Sequence, residues 1–409
     1  MAKEYSDLVV GLDIGTAKIM VVVAEVLPGG DLKLVGLGVG PSTGLKRGAV
    51  VNIDATVASI QQALKEAEQM AGCRIARVYT GLTGSHIRGQ NSHGMVAIKD
   101  REVTPADVAR VIDTARAINI PTDQRLLLVE PQEFIIDGQE VKEPIGMSGV
   151  RLEAKVHIVT GAQSAAENML KCVRRCGLEV EQLVLNPLAA AHAVLTDDEK
   201  ELGVALVDIG AGTTDVAIFT GGAIRHTAAI PIAGDLITND IAMALRTPTK
   251  DAEDIKVEAG CAKQQLVDPN QQVEVPGIGD RGPRLLSRQA LAAVIEPRVE
   301  EIFALVQQVI RESGCEELLS SGIVLTGGSA VMPGMVELGE DVFLKPVRRG
   351  VPRYAGALAD MVAQPRAATV MGLLEEARLA RLRGQKVAQK AGSVGGLLRR
   401  VKEWFVGNF

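Results

Sequence analysis

At 409 residues and 43.2 kDa the chain is too long for one small domain, and with 47% hydrophobic and 23% charged residues it is too apolar to be disordered. Aromatics are scarce at 2% while glycine is abundant at 43 residues, a balance that suits close backbone packing in an α/β protein rather than an aromatic-rich binding surface. The net charge of −6 hides an asymmetry: from Ala377 onward eight basic residues face Glu403 alone, so a tail of +7 follows a body of −13 that repels nucleic acid.

The N-terminus leads straight into a short strand, without the apolar core of a signal peptide, and no run reaches the roughly 20 apolar residues of a membrane span. Cys73, Cys172, Cys176, Cys261 and Cys315 are scattered, with no Cys-x-x-Cys pair and no histidine at zinc-ligand spacing. Buried thiols in the reducing cytoplasm are the expectation.

Leu8–Leu12 predicts a strand, broken at Asp13-Ile14-Gly15-Thr16-Ala17-Lys18 and followed by strands at Ile19–Val26 and Leu32–Val39. Thr104-Pro105 opens a helix whose apolar stripe is Val108, Val111, Ile112, Ala115 and Ile118. Strands follow at Leu126–Ile136 and Leu152–Thr160, then a helix from Ser164 to Cys176 that ends at Gly177. The opening pattern then returns: Val204–Val207, Asp208-Ile209-Gly210-Ala211-Gly212-Thr213-Thr214, a strand at Asp215–Phe219, a Gly-Gly turn and another strand. A duplication this far apart predicts two similar α/β lobes and not a solenoid. Asp235–Ala262 reads as helix and residues 268–284 as loop; Ser287 caps a helix toward Ile310, kinked or split at Pro297. Ile323–Leu325 is a strand into Thr326-Gly327-Gly328-Ser329, with a helix expected after Pro333, and beyond Leu374 the pattern decays into a polar linker.

Each Asp-Ile-Gly turn exposes backbone N–H groups beside a carboxylate. Glycine lets phosphate oxygens approach the amides, and a divalent cation would relieve the repulsion between carboxylate and phosphate. Asp13, Gly15, Thr16, Ala17 and Lys18 are therefore candidates for one phosphate loop, and Asp208, Gly210, Gly212, Thr213 and Thr214 for a second. Asp13 and Asp208 would hold Mg²⁺ through water. Gly327, Gly328 and Ser329 offer bare backbone against which a base or ribose could pack.

In this order the three turns resemble the actin/Hsp70/sugar-kinase superfamily, with Leu185–Ala191 and Gln364–Gly372 resembling its two interlobe helices. Glu253 and Lys256, in Ala252–Lys256, are similar to a bacterial-actin segment that approaches the nucleoside. Within the superfamily, Gly11–Thr16, Ile323–Gly328, Leu291–Arg298 and an insert of about 80 residues resemble the bacterial cell-division FtsA family. The resemblance implies ATP and Mg²⁺ between two lobes, self-assembly into filaments and capture of the C-terminal peptide of the tubulin-like protein FtsZ. It divides the chain into a first lobe (1–83 and 161–195, with the connecting helix near 358–374), an inserted subdomain (84–160) for later division proteins, a second-lobe core (196–232 and 305–357), an outer subdomain (233–304), a linker (377–396) and a terminal helix (397–409). Arg284, Arg288 and Arg298 would meet the peptide, beside Arg281. Where hydrolysing relatives carry Gln or Glu, this chain has Asn186, one methylene shorter than Gln. ATP binding with slow or absent turnover is expected.

Leu397, Leu398, Val401, Trp404, Phe405 and Phe409 recur at helical spacing with Arg399, Arg400 and Lys402 at the edges, the pattern of an amphipathic helix lying on anionic lipid. One short helix binds weakly, so many tails on one filament would hold better than one. The expected location is the division site, on the cytoplasmic side of the inner membrane. A sugar kinase is the alternative enzyme reading, though residues 70–160 show no convincing sugar site. A pilus-assembly ATPase like PilM is the other alternative, and that family generally lacks the terminal helix.

Overall fold

The computed structural model describes residues 7–279 and 282–390, with side chains as far as Gly384. The chain begins with β1 (Leu8–Ile14), β2 (Lys18–Val26) and β3 (Leu32–Pro41), then a small hairpin of β4 (Leu45–Lys46) and β5 (Ala49–Val50). Helix α1 (Ile53–Ala71) follows; Asn52 Oδ1 accepts from Ala55 N at 3.0 Å to start it, and left-handed Gly72 stops it. After β6 (Arg77–Leu82) comes the insert: β7 (Arg88–Ala97), α2 (Pro105–Arg116), β8 (Gln124–Ile136), β9 (Gln139–Val141) and β10 (Arg151–Ala162). Thr104 and Asp107 cap α2 reciprocally. The cap at Ala117 ends the helix before Ile118, which packs part-buried beyond it.

Helix α3 (Gln163–Arg175), β11 (Glu179–Leu185) and α4 (Asn186–Val194) lead through α5 (Asp197–Leu202) to the second lobe. There β12 (Val204–Ile209), β13 (Thr214–Thr220) and β14 (Ala223–Ile230) repeat the opening. The single helix expected over Asp235–Ala262 is two, α6 (Gly234–Leu245) and α7 (Thr249–Ala259). Arg246 turns left-handed and Pro248 supplies no N–H, so the first helix cannot run on. Residues 268–284 are not all loop: β15 (Gln272–Val275) pairs with β16 (Arg284–Ser287). Helix α8 (Arg288–Glu312) stays one helix through Pro297 and passes unbroken across the expected boundary at 304/305. Then come β17 (Ile323–Thr326), α9 (Met335–Phe343), β18 (Val347–Arg349), α10 (Ala359–Val362) and α11 (Ala368–Lys390).

The two main sheets have one design. The first runs β3-β2-β1-β6-β11 and the second β14-β13-β12-β17-β18. In each, three strands joined by hairpins pair antiparallel and two later strands add in parallel. Strands buried on both faces read as continuous apolar runs, and Leu12, Ile19, Val21 and Val23 are fully enclosed. Each such side chain contributes about 1.5–3 kcal/mol by leaving water. The insert is a third sheet, β7-β10-β8-β9, with α2 on one face.

Helices α4 and α11 form the shared floor. Ala189 packs with the first lobe while Ala190, Ala191 and Val194 pack with the second; Val370, Met371, Leu373 and Leu374 pack with the first and Ala368 with the second. They cross so closely that a Cβ on Gly372 would lie 1.6 Å from Ala189 O. The linker expected from residue 377 is not the observed structure: α11 continues to Lys390. Ala377 is fully buried, and Arg378, Arg381 and Arg383 pair with Glu375, with Asp7 and Glu181, and with Glu376. Three of the eight tail cations are thus spent on the body. Arg281 and the expected membrane residues Leu397, Leu398, Arg399, Arg400, Val401, Lys402, Trp404, Phe405 and Phe409 lie outside the described residues.

Candidate functional site

Both Asp-Ile-Gly turns are tight β-hairpins with the same closing bond, Gly15 N to Lys18 O at 3.0 Å and Gly210 N to Thr213 O at 2.9 Å. A Cβ at Gly15 would clash with Lys18 O at 2.9 Å and one at Gly210 would crowd Thr213 O at 3.2 Å, both within their own turns, and neither would meet another element. The turns face one another: a Cβ at Gly212 would stand 2.7 Å from Thr16 Oγ1. Ala17 serves the first turn through its carbonyl, which accepts from Ser42 N at 3.0 Å. The third turn packs against the second, where Ser329 Oγ donates to Gly210 O at 2.9 Å and a Cβ at Gly327 would meet Asp208 Oδ1 at 2.3 Å. Gly328 has open space before it.

Lys256 Nζ donates to Glu253 Oε2 at 2.6 Å, Thr238 Oγ1 at 2.8 Å and Gly234 O at 3.2 Å, while Gly234 N donates to Gly210 O at 3.1 Å. The charge pair therefore adjoins the second loop, one residue layer away. Thr214 differs from the sequence expectation. Its side chain is fully buried and Oγ1 donates to Ile232 O at 2.7 Å, so it braces the sheet and does not offer its hydroxyl to the cleft.

The cleft is acidic, and its carboxylates are buried. Burial raises Asp13 above the usual carboxylate range, with Lys18 opposing. Burial and then the neighbouring Asp13 push Asp208 up to about 6, against a hydrogen bond from Thr369 Oγ1 at 3.2 Å. Burial pushes Asp215 up to about 7 although Thr83 Oγ1 donates to it at 2.5 Å. Burial lowers Lys18, whose Nζ sits 3.8 Å from Asp13 Oδ2 and donates to Arg366 O. Three crowded carboxylates against one ammonium make a site where a divalent cation fits. Among the described residues no three acidic, His or Cys side chains converge to ligate one ion directly, so Asp13 and Asp208 would hold it through water.

Asp215, Thr83 and Thr369 were not among the sequence candidates. Asp215 had a readable signal, since it is the second acid of the duplicated hairpin and pairs across from Asp208. Asn186 begins α4 with Oδ1 buried and without a hydrogen-bond partner, against Gly81 and near Thr369.

The expected peptide arginines do not form one free patch. Arg298 pairs with Asp240 at 2.5 Å and with Glu301, whereas Arg284 donates to Leu245 O and Arg288 to Ala259 O and Gln271 Oε1. Asp240 borders a cavity of about 800 Å³ that is also lined by Leu236, Met243, Arg246 and Ile278.

The insert docks on the second lobe along β14. Burial and then His226 hold the pKa of buried His157 down to about 4, so its neutral ring donates through Nδ1 to Asn91 Oδ1 at 2.7 Å and accepts through Nε2 from Thr227 Oγ1 at 2.9 Å. Gln132 Nε2 donates to Ile224 O at 2.8 Å beside it.

Known proteins align with this arrangement. The family model described as "Cell division protein FtsA" matches residues 205–372, and that described as "SHS2 domain inserted in FTSA" matches residues 84–160. The chain is 56% identical to a Pseudomonas aeruginosa protein named cell division protein FtsA over 98% of both chains. It is 50% identical to a Neisseria meningitidis protein of the same name over 97% of this chain and 98% of that one. Among solved structures, a PilM-PilN type IV pilus biogenesis complex aligns with a TM-score of 0.67 at 18% identity, covering 90% of this chain and 98% of that chain. MreB 5 of Spiroplasma citri bound to AMPPNP aligns with a TM-score of 0.57 at 15% identity, covering 95% and 100%. At those identities the likeness shows the fold, which is the actin-like two-lobed α/β fold with an SHS2 insert.

Proposed function

The chain belongs to the cell division protein FtsA family, and from that premise we propose that it is an ATP-binding, self-assembling adaptor that tethers FtsZ filaments to the cytoplasmic face of the bacterial inner membrane at the division site. The observation that carries the ATP reading is the convergence of the three glycine turns on one cleft, with Gly210 O bonded to both Ser329 and Gly234. Phosphates would lie on the amides of Gly15–Lys18 and Gly210–Thr213, and the base against Gly327–Ser329, within reach of Glu253 and Lys256. Mg²⁺ bound between Asp13 and Asp208 would neutralise phosphate charge.

Asn186 supports slow turnover. Its amide is buried against backbone, and a side chain that cannot reach the attacking water forfeits the positioning that drives phosphoryl transfer. The cavity beside Asp240 supports peptide capture, because exposed Met243 and Ile278 would take apolar side chains while Arg246 attracts an acidic one. Membrane attachment is supported by the amphipathic spacing of Leu397–Phe409, and the insert is the expected dock for later division proteins.

Titration of the full chain with a fluorescent ATP analogue, and sedimentation with anionic vesicles, test the reading. Asp208→Ala should abolish measurable nucleotide binding; unchanged affinity removes the cleft assignment. Deleting residues 396–409 should release the protein from vesicles and spare nucleotide binding. A truncated chain that still pellets removes the tail assignment.

A further inference from the structure

The turn Lys46-Arg47-Gly48-Ala49, at the tip of the β4–β5 hairpin, takes no part in the loops described above, yet it touches both. Gly48 N donates to Thr16 Oγ1 in the first loop at 3.2 Å. On the side of the second loop, a Cβ at Gly212 would lie 2.9 Å from Arg47 Cα and 3.0 Å from Arg47 N. Behind the turn, a Cβ at Gly48 would meet Thr83 O at 3.0 Å and Gly84 Cα at 3.1 Å. The turn is thus wedged between the two phosphate loops and backed by the residues where the chain enters the insert.

Arg47 adopts a left-handed backbone, φ 51°, which a side-chain-bearing residue rarely does. It is exposed at the cleft mouth, and among the described residues its guanidinium has no hydrogen-bond or ion-pair partner. The charge balance gives that cation a use. Asp13 and Asp208 already outnumber Lys18, which is committed to Arg366 O and Asp13. A triphosphate, at about four negative charges, adds about two more than one divalent cation removes. The planar fork of an arginine suits two phosphate oxygens at once.

We propose that Arg47, held between the two phosphate loops and against the insert's root, engages the terminal phosphate and so distinguishes a nucleoside triphosphate from a diphosphate. This rests on the ATP-binding reading. The same turn passes the state of the phosphate to the insert, because Thr83, which backs it, also donates to Asp215 in the cleft wall.

Fluorescent ATP and ADP analogues titrated with Mg²⁺ into the full chain test it. Arg47→Asn removes the charge while keeping a residue that tolerates the left-handed backbone. It should weaken the ATP analogue about ten- to a hundredfold, the worth of one charge-assisted contact, and the ADP analogue less than about threefold. Arg47→Lys should recover part of the loss. Equal weakening of both analogues, or none, overturns the proposal. A wild-type chain that binds neither analogue overturns the ATP reading along with it, whereas unaltered ATP affinity in the variant overturns this proposal alone. Hydrogen exchange at amides 84–88 should differ between the ATP and ADP forms of the wild type and not of Arg47→Asn; identical exchange in the two wild-type forms removes the relay.

Discussion

The two lobes share one backbone plan and carry opposite chemistry on it. In the first hairpin Asp13 lies across from Met20, and in the second Asp208 lies across from Asp215. Position for position, the closing residue is Lys18 in one and Thr213 in the other. Met20 sits in an apolar cluster with Val22, Tyr79 and Met371, while Asp215 faces Thr83, so each hairpin took the residue that its inner wall could satisfy. The hairpin geometry follows from glycine and strand pairing; the charge follows from what lies across the cleft. Duplication therefore supplied the cradle, and divergence placed two acids in one wall and a cation in the other.

Removing the common floor gives the largest effect. Gly372→Val would drive a side chain into Ala189 O and force α4 and α11 apart. A loss above about 4 kcal/mol is expected, enough to unfold a marginally stable protein. Urea melts check it, and a variant with near-native stability would mean that the lobes do not depend on this crossing.

Neutralising the extra acid of the second hairpin comes next. The folded state holds Asp215 protonated up to about pH 7, whereas the unfolded chain releases that proton near 3.8. Stability therefore falls as pH rises from about 4 to about 7, by about 4 kcal/mol as an upper bound. Asp215→Asn should be more stable than wild type at pH 8 and converge with it near pH 4. Parallel stability curves for the two proteins would show that burial does not strain this carboxyl.

The insert's junction with β14 responds in the opposite sense. His157 stays neutral in the fold down to about pH 4 while the unfolded chain takes up its proton near 6.5, so stability falls as pH drops between those values, by about 3 kcal/mol. His157→Gln should flatten that limb of the wild-type profile in the same urea melts. If the limb persists, other groups set the acid response.

The duplication was legible because short continuous apolar runs and glycine turns are local signals, and both Asp-Ile-Gly turns, the Gly327–Ser329 turn and the caps at Thr104 and Ser287 lie where the sequence puts them. What it hid was non-local. Arg298 meets Asp240, 58 residues away, and Thr83 meets Asp215 at a separation of 132, so neither pair leaves a mark in any short window. The β15–β16 hairpin was hidden by Pro and Gly residues that read as loop. The stretch after Leu374 read as linker because its arginines are polar, although the partners of Arg381, Asp7 just before β1 and Glu181 in β11, lie far away in the sequence.

Those arginines set the smallest effect, and they lie where α11, beyond the shared floor, packs on the first lobe. Arg381 lies 3.3 Å from Asp7 and 3.4 Å from Glu181, with about a quarter of its side chain still in solvent. Part-exposed ion pairs contribute little, so Arg381→Ala should cost less than about 1 kcal/mol, and less still in high salt. Apolar packing of Ala377 and Leu382 would hold the helix against the lobe without it, Leu382 lying 3.3 Å from where a Cβ on Gly30 would be. A larger loss would mean that charge, and not packing, fastens the C-terminal helix, and that the two lobes differ in how their outer helices are held as well as in what their hairpins carry.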